Sequence, residues 1–289
     1  MEKVIENKGV KIHLVQTEKY KTNTIVFKMK APLSKKSATT RALLPYVLQS
    51  GTNTYPTFTD LRTYLENLYG ATLYVDLQKK GEYHIISLTM EVANEKFLKD
   101  SEPLLKKALT LLADVLFNPK VTNGSFDEKI VEKEKRTLKQ RIQAINDDKM
   151  RYANLRLIQE MCKDEPYSIP VNGYLEDVDA ITSKSLYNYY QKALAEDEMD
   201  LYIVGQIDEK EVLNICQEKF RLPNRTPKQI EIENKIISRE EKVVIEKQDV
   251  AQGKLNIGYR THVRYGDDDY FALQVFNGLF GGFPNSKLF

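Results

Sequence analysis

The chain is poor in the residues that usually announce chemistry. It has two cysteines, Cys162 and Cys216, far apart and outside any Cys-x-x-Cys spacing, so it offers neither a disulfide framework nor a thiolate metal knuckle. They read as buried free thiols in a reducing compartment. The polar N-terminus has no apolar signal core, and the expectation is a cytoplasmic protein. Histidine is scarce too: His13, His84 and His262 include no pair at the i,i+3 or i,i+4 spacing of a helical metal clip. No apolar run approaches the ~18 residues that cross a bilayer, so no membrane partner is expected. Charge of one sign is lacking as well. With 43 basic and 41 acidic residues the net charge is +2, and no broad field exists to hold nucleic acid. There is no Gly-x-Ser-x-Gly elbow, and Gly281-Gly282 lacks the spacing of a phosphate loop.

What is present is a patterned globular chain of 289 residues, long enough for two domains. Residues 10–16 and 24–30 alternate like half-buried strands. Residues 37–49 shift to helical spacing, with Ser37 or Thr39 as cap and Pro45 either kinking the helix or marking its first turn. A second helix is expected over 57–68, stopped by Gly70. Runs 72–77 and 82–92, joined by Lys79-Lys80-Gly81, predict a hairpin. Helices are then expected over 94–117, 126–161, 182–194 and 208–220, with a buried strand at 199–205. This order predicts an α+β fold, an antiparallel-rich mixed sheet with helices packed on one face. The expected boundaries are a first domain at 1–220, a linker at 221–228 and the opening of a second, truncated domain at 229–289. The last would contribute strands at 242–247 and 254–260 and a helix at 270–279.

One segment speaks to function. Residues 41–52, ending in Gly51-Thr52, resemble the zinc-binding segment of the pitrilysin/insulysin/mitochondrial-processing-peptidase family, the inverted zincins with a His-x-x-Glu-His signature. The three signature positions fall on Ala42, Pro45 and Tyr46, a methyl, a pyrrolidine ring and a phenol. Zinc needs nitrogen, sulfur or carboxylate donors, and hydrolysis needs a base beside the metal-bound water. Residues 132–142 are similar to the family's long-helix signature, where an acid supplies the third ligand; that place falls on Arg141, which has no lone pair for a metal. Glu134 is the one family-like acid that survives, and a single carboxylate does not hold zinc. Residues 59–71, 166–173, 184–190, 199–205 and 279–289 resemble further family segments in the same order.

The resemblance implies two related α+β halves facing each other around a peptide chamber, the halves repeated and the second incomplete here. It implies an extended peptide added to a sheet edge, with Tyr74 and Val75 at the positions of the edge strand. It further implies a non-catalytic member that pairs with an active zinc-peptidase paralogue, with zinc in that partner and no cofactor in this chain. Two alternatives remain open on sequence alone: an active zinc metalloendopeptidase with donors outside the signature, and a stand-alone peptide-binding scaffold.

Overall fold

The computed structural model describes residues 2–7, 9–99, 102–222, 225, 227, 240–261 and 263–288. The chain divides into two compact units, 1–231 and 232–289. Half of the expected linker at 221–228 lies outside the described residues, as does His262.

The first unit is built on a six-stranded mixed sheet. Its strands are β1 (Glu2–Asn7), β2 (Val10–Gln16), β3 (Thr22–Pro32), β4 (Thr72–Lys80), β5 (Tyr83–Ala93) and, later in the chain, β8 (Glu198–Gly205). Their spatial order is β1-β2-β8-β3-β5-β4. Only β2 and β8 run parallel, with Ile12 opposite Leu201; every other neighbouring pair is antiparallel. Alternation explains the layering. Along β3 the side chains of Ile25, Phe27 and Met29 are buried while Val26, Lys28 and Lys30 point the other way. The buried set meets Ile12, Leu88, Leu201 and their neighbours in one core. The β4–β5 hairpin turns at Gly81, whose φ of +54° lies in the left-handed region that favours glycine. The expected hairpin is therefore found, with its first strand running closer to the turn than the sequence suggested.

Helices cover the core side. They are α1 (Lys35–Gln49), α2 (Phe58–Asn67), α3 (Leu104–Phe117), α4 (Glu128–Gln143), α5 (Lys149–Met161), α6 (Ser183–Glu196) and α7 (Glu209–Lys219), with a two-residue ribbon of β6 (Val121–Thr122) and β7 (Ser125–Phe126) before α4. Phe27 of the sheet meets Phe117 of α3 and Phe220 after α7, with centroids 6.1 and 6.0 Å away. Thr57 opens α2 through a reciprocal capping box with Asp60, and Thr182 opens α6 in the same way with Ser185.

Several expectations need correction. Helix α1 starts at Lys35, earlier than the expected caps. Thr39 instead accepts the Tyr174 N–H at 3.0 Å and donates to Asp177 at 3.1 Å, tying the helix to a later loop. Gly173 in that loop has φ +71°, and a Cβ there would stand 2.2 Å from Thr39 Oγ1, so the approach requires glycine. Pro45 lies inside α1 rather than in its first turn. The stretch 94–117 is not one helix: Asn94 caps a short 3-10 turn, Glu95–Phe97, and α3 begins after Pro103. The stretch 126–161 is likewise two helices, because Asp148 turns its carboxylate onto the Met150 and Arg151 N–H groups and opens α5. Strand β1 was not foreseen. It pairs with β2 across six residues and leaves four of its side chains exposed, so it never shows the alternation of a half-buried strand.

In the second unit α8 (Tyr270–Asn277) lies within the expected helix and continues into a wide turn over Gly278–Gly282. The expected strands at 242–247 and 254–260 are not strands in this structure. Alternation is a local pattern, whereas a strand exists only once a ladder of backbone bonds is closed.

Among the described residues no helix is long and apolar enough to cross a membrane. Cys162 and Cys216 are both buried free thiols, and burial pushes the Cys216 thiol up to about 12.

Candidate functional site

Two helices carry the positions in question. On α1, Ala42 and Pro45 face inward and are buried with Leu43 and Leu44, while Tyr46 sits at the margin of the core. On α4, Asp127 accepts from the Lys129 and Ile130 N–H groups and starts the helix. The spacing of Glu134, Leu138 and Arg141 then sets all three along the stripe turned to α1.

The structure brings Tyr46 and Arg141 into direct contact. The Arg141 guanidinium carbon lies 3.4 Å from the centroid of the Tyr46 ring, a face-on cation–π stack. Glu134 is buried one step away. Its Oε1 accepts from Ser50 Oγ at 3.2 Å and lies 3.4 Å from Lys133 Nζ. The Ser50 hydroxyl also reaches the carbonyl of Tyr46 at 2.9 Å, so Glu134 is fastened back onto the end of α1. Burial pulls the Arg141 guanidinium down from its usual value, and the Tyr46 and Glu134 groups oppose that pull.

None of this fits a zinc ion. The tetrahedral sites of zinc peptidases take three protein donors and keep a fourth place for water. Here the expected signature positions offer a methyl group, a ring without a donor and a phenol whose face is covered by a cation. The position expected for the third ligand carries that cation itself. Among the described residues no cluster of three His, Cys, Asp or Glu side chains is placed to hold a metal.

Beside the stack a cleft of about 480 Å³ opens, walled by Tyr46, Asp76, Leu77, Arg141, Arg151 and Asn172. Asp76 and Leu77 belong to β4, which is an outer strand of the sheet, so its far edge has no neighbouring strand among the described residues. Tyr74 is about half exposed, on the opposite sheet face from the buried Leu73, and Val75 packs against the core. The edge is fastened at both ends. Gln49 donates to the Leu73 carbonyl at 2.7 Å. Lys79 donates to the carbonyls of Tyr167 and Ile169 at 2.5 and 3.1 Å, with its ammonium 4.3 Å from the centre of the Tyr167 ring. Sequence reasoning named the edge positions but missed both fasteners, since each joins segments remote in the chain.

Sequence reasoning also missed a buried arginine in the segment that carries the signature positions. Arg41 is fully buried. It donates to the carbonyls of Met29 at 2.8 Å and His84 at 3.2 Å and to the Tyr189 hydroxyl at 3.2 Å, and its Nη1 lies 2.7 Å from the Asp197 carboxylate. That network holds α1 to the sheet and to the end of α6.

Comparison with known proteins identifies the family. Residues 43–174 match the family described as "Insulinase (Peptidase family M16)", and residues 180–289 match "Peptidase M16 inactive domain". The chain is 53% identical over 281 residues to "Probable inactive metalloprotease YmfF" of Bacillus subtilis (strain 168), an alignment covering 97% of this chain and 66% of that protein. It is 30% identical over 122 residues to "Uncharacterized zinc protease YmfH" of the same organism, covering 42% of this chain and 27% of that one. Among solved structures, a conserved protein from Enterococcus faecalis V583 superimposes with a TM-score of 0.89 at 34% identity, covering 100% of this chain and 68% of that one. The chain thus spans just under two thirds of YmfF and a smaller share of YmfH.

Proposed function

Because the chain belongs to the M16 insulinase family of peptidases, we propose that it is a non-catalytic member, a chamber half that works beside an active paralogue in peptide or protein processing. The observation that carries this reading is the Tyr46–Arg141 stack at the positions where active members of the family are expected to hold zinc. Losing one ligand would leave a weakened metal site. Filling the place with a packed cation and an aromatic ring excludes a metal by charge as well as by donor chemistry.

A chamber half still needs a surface for an extended chain. The outer edge of β4 supplies one, since backbone N–H and C=O groups on an unpaired edge add a strand without demanding a particular sequence. In this reading zinc, base and hydrolysis belong to the partner, and the pair works in the cytosol. The relatives support the division of labour only by analogy: Bacillus subtilis carries both a protein named as inactive and one named as a zinc protease, and this chain is similar to both.

The test is reconstitution. The purified chain is expected to hold no stoichiometric zinc and to cleave no peptide, and to bring down a relative with an intact His-x-x-Glu-His motif when captured from its own cell. Peptide hydrolysis should appear only with that relative present. Stoichiometric zinc with intrinsic activity abolished by Glu134→Gln would overturn the proposal. Peptide binding without any such relative would point to the stand-alone scaffold.

A further inference from the structure

The two resident cations of the α1–α4 contact differ in one respect. Lys133 reaches Glu134, but Nε, Nη1 and Nη2 of Arg141 are each shut off from solvent and make no well-formed hydrogen bond among the described residues, although Tyr46 and Glu134 lie close enough to favour its charge. A guanidinium carries five N–H donors, and burying it unpaired forfeits its hydration without replacing it. The stack on Tyr46 engages the face of the guanidinium and leaves the in-plane donors unused. Such an arrangement is costly unless an acceptor from outside completes it.

The surroundings say what that acceptor is. Arg141 forms part of the cleft wall, where Arg151 brings a second guanidinium, 81% exposed and 3.1 Å from Asp148, and Asn172 an amide. The one acid on the wall, Asp76, already accepts from Gln78 at 2.5 Å. Glu134, the buried acid of α4, is held by Ser50 and Lys133. The cleft therefore presents two arginines, of which Arg151 is already paired with Asp148, against one engaged carboxylate. It also adjoins the middle of the free β4 edge, through Asp76 and Leu77, between the fasteners at Leu73 and Lys79.

We propose that Arg141 is a carboxylate anchor: an extended peptide lying along β4 places an acidic side chain or its own C-terminal carboxylate in this cleft, and the guanidinium turns from the Tyr46 ring to grip it through paired N–H donors. This inference rests on the reading of β4 as a peptide edge. It gives that reading a substrate class, carboxylate-bearing extended peptides, and turns a position expected to serve a metal into one that reads an anion.

Fluorescence anisotropy on the full chain tests it with labelled ten-residue peptides in four forms: central Glu or central Gln, each with a C-terminal acid or amide. The carboxylate-bearing forms are expected to bind about tenfold to a hundredfold more tightly than the Gln amide, the range of a charged hydrogen-bonded contact. The side-chain and terminal arms tell which carboxylate is read. Arg141→Met should abolish the preference and leave binding of the neutral peptide intact, and Arg141→Lys should restore only part of it. Thermal melting of both variants verifies that they fold. Equal binding of all four peptides would overturn the anchor and leave the peptide edge standing. A preference that survives Arg141→Met would overturn the assignment to this residue. If no peptide binds, the edge reading falls and the anchor falls with it.

Discussion

Two arginines on neighbouring helices are treated in opposite ways. Arg41 is buried in full and its guanidinium is met by two carbonyls, a phenol and a carboxylate. Arg141 is buried at its nitrogens and stacked on the face of a ring, with Glu134 near enough to favour its charge but no well-formed hydrogen bond. The first behaves as a structural rivet: each of its three nitrogens meets an acceptor within the fold. The second is a charge without an answer, held at a cleft next to a free strand edge. The same side chain is spent on cohesion in one place and left available for recognition in the other.

The contrast can be broken most sharply at Arg41. Replacing it with Met strands the Asp197 carboxylate in the core, and a loss of about 3–5 kcal/mol of stability is expected in urea unfolding. A change near zero would mean that the network is not a rivet. Next in size is an acid effect on His84, whose carbonyl accepts from Arg41. Burial, and then the Arg41 charge, hold the imidazole down to about 3, against an ordinary 6.5. The folded ring stays neutral where the unfolded chain binds a proton, so this contribution is intact above pH 6.5 and is lost as pH falls toward 3. Roughly 1 kcal/mol should disappear between pH 6 and pH 5, and His84→Asn should flatten that slope.

Smaller and opposite in sign is Arg141→Met. Removing an unanswered guanidinium while keeping an apolar stem on Tyr46 should leave stability unchanged or raise it by up to about 1 kcal/mol. A drop of several kcal/mol would show that Arg141 is structural after all. Smallest is Lys133→Ala: its ammonium is largely exposed, and the pair with Glu134 should contribute under about 0.5 kcal/mol by double-mutant cycle.

Much of the fold was legible because it is written in periods. The alternation of β2, β3 and β8 and the stripes of α2, α6 and α7 can each be read from one segment alone. What escaped depended on contacts between segments. Asp148 ends one helix and opens another inside a run whose composition is helical throughout. Strand β1 is fixed by its register with β2 and not by its own pattern. Residues 242–247 and 254–260 have the pattern without the ladder. At the candidate site, the spacing before Gly51-Thr52 pointed to Ala42, Pro45 and Tyr46 as the expected signature positions, and the resemblance of α4 pointed to Arg141. That Tyr46 and Arg141 would stack, and that the guanidinium would lack acceptors, is set by how α1 meets α4. The neighbouring Arg41 looked like part of the same stretch until its acceptors, drawn from β3, β5 and α6 with its cap, came into view.

The fasteners on β4 carry a consequence for behaviour at high concentration. An unguarded outer strand invites identical molecules to zip together and to grow into fibrils. Here a glutamine amide occupies one end and a lysine-bound loop the other, leaving a window only a few residues long. That window is wide enough to greet a short guest and too narrow to nucleate a lengthening stack of copies.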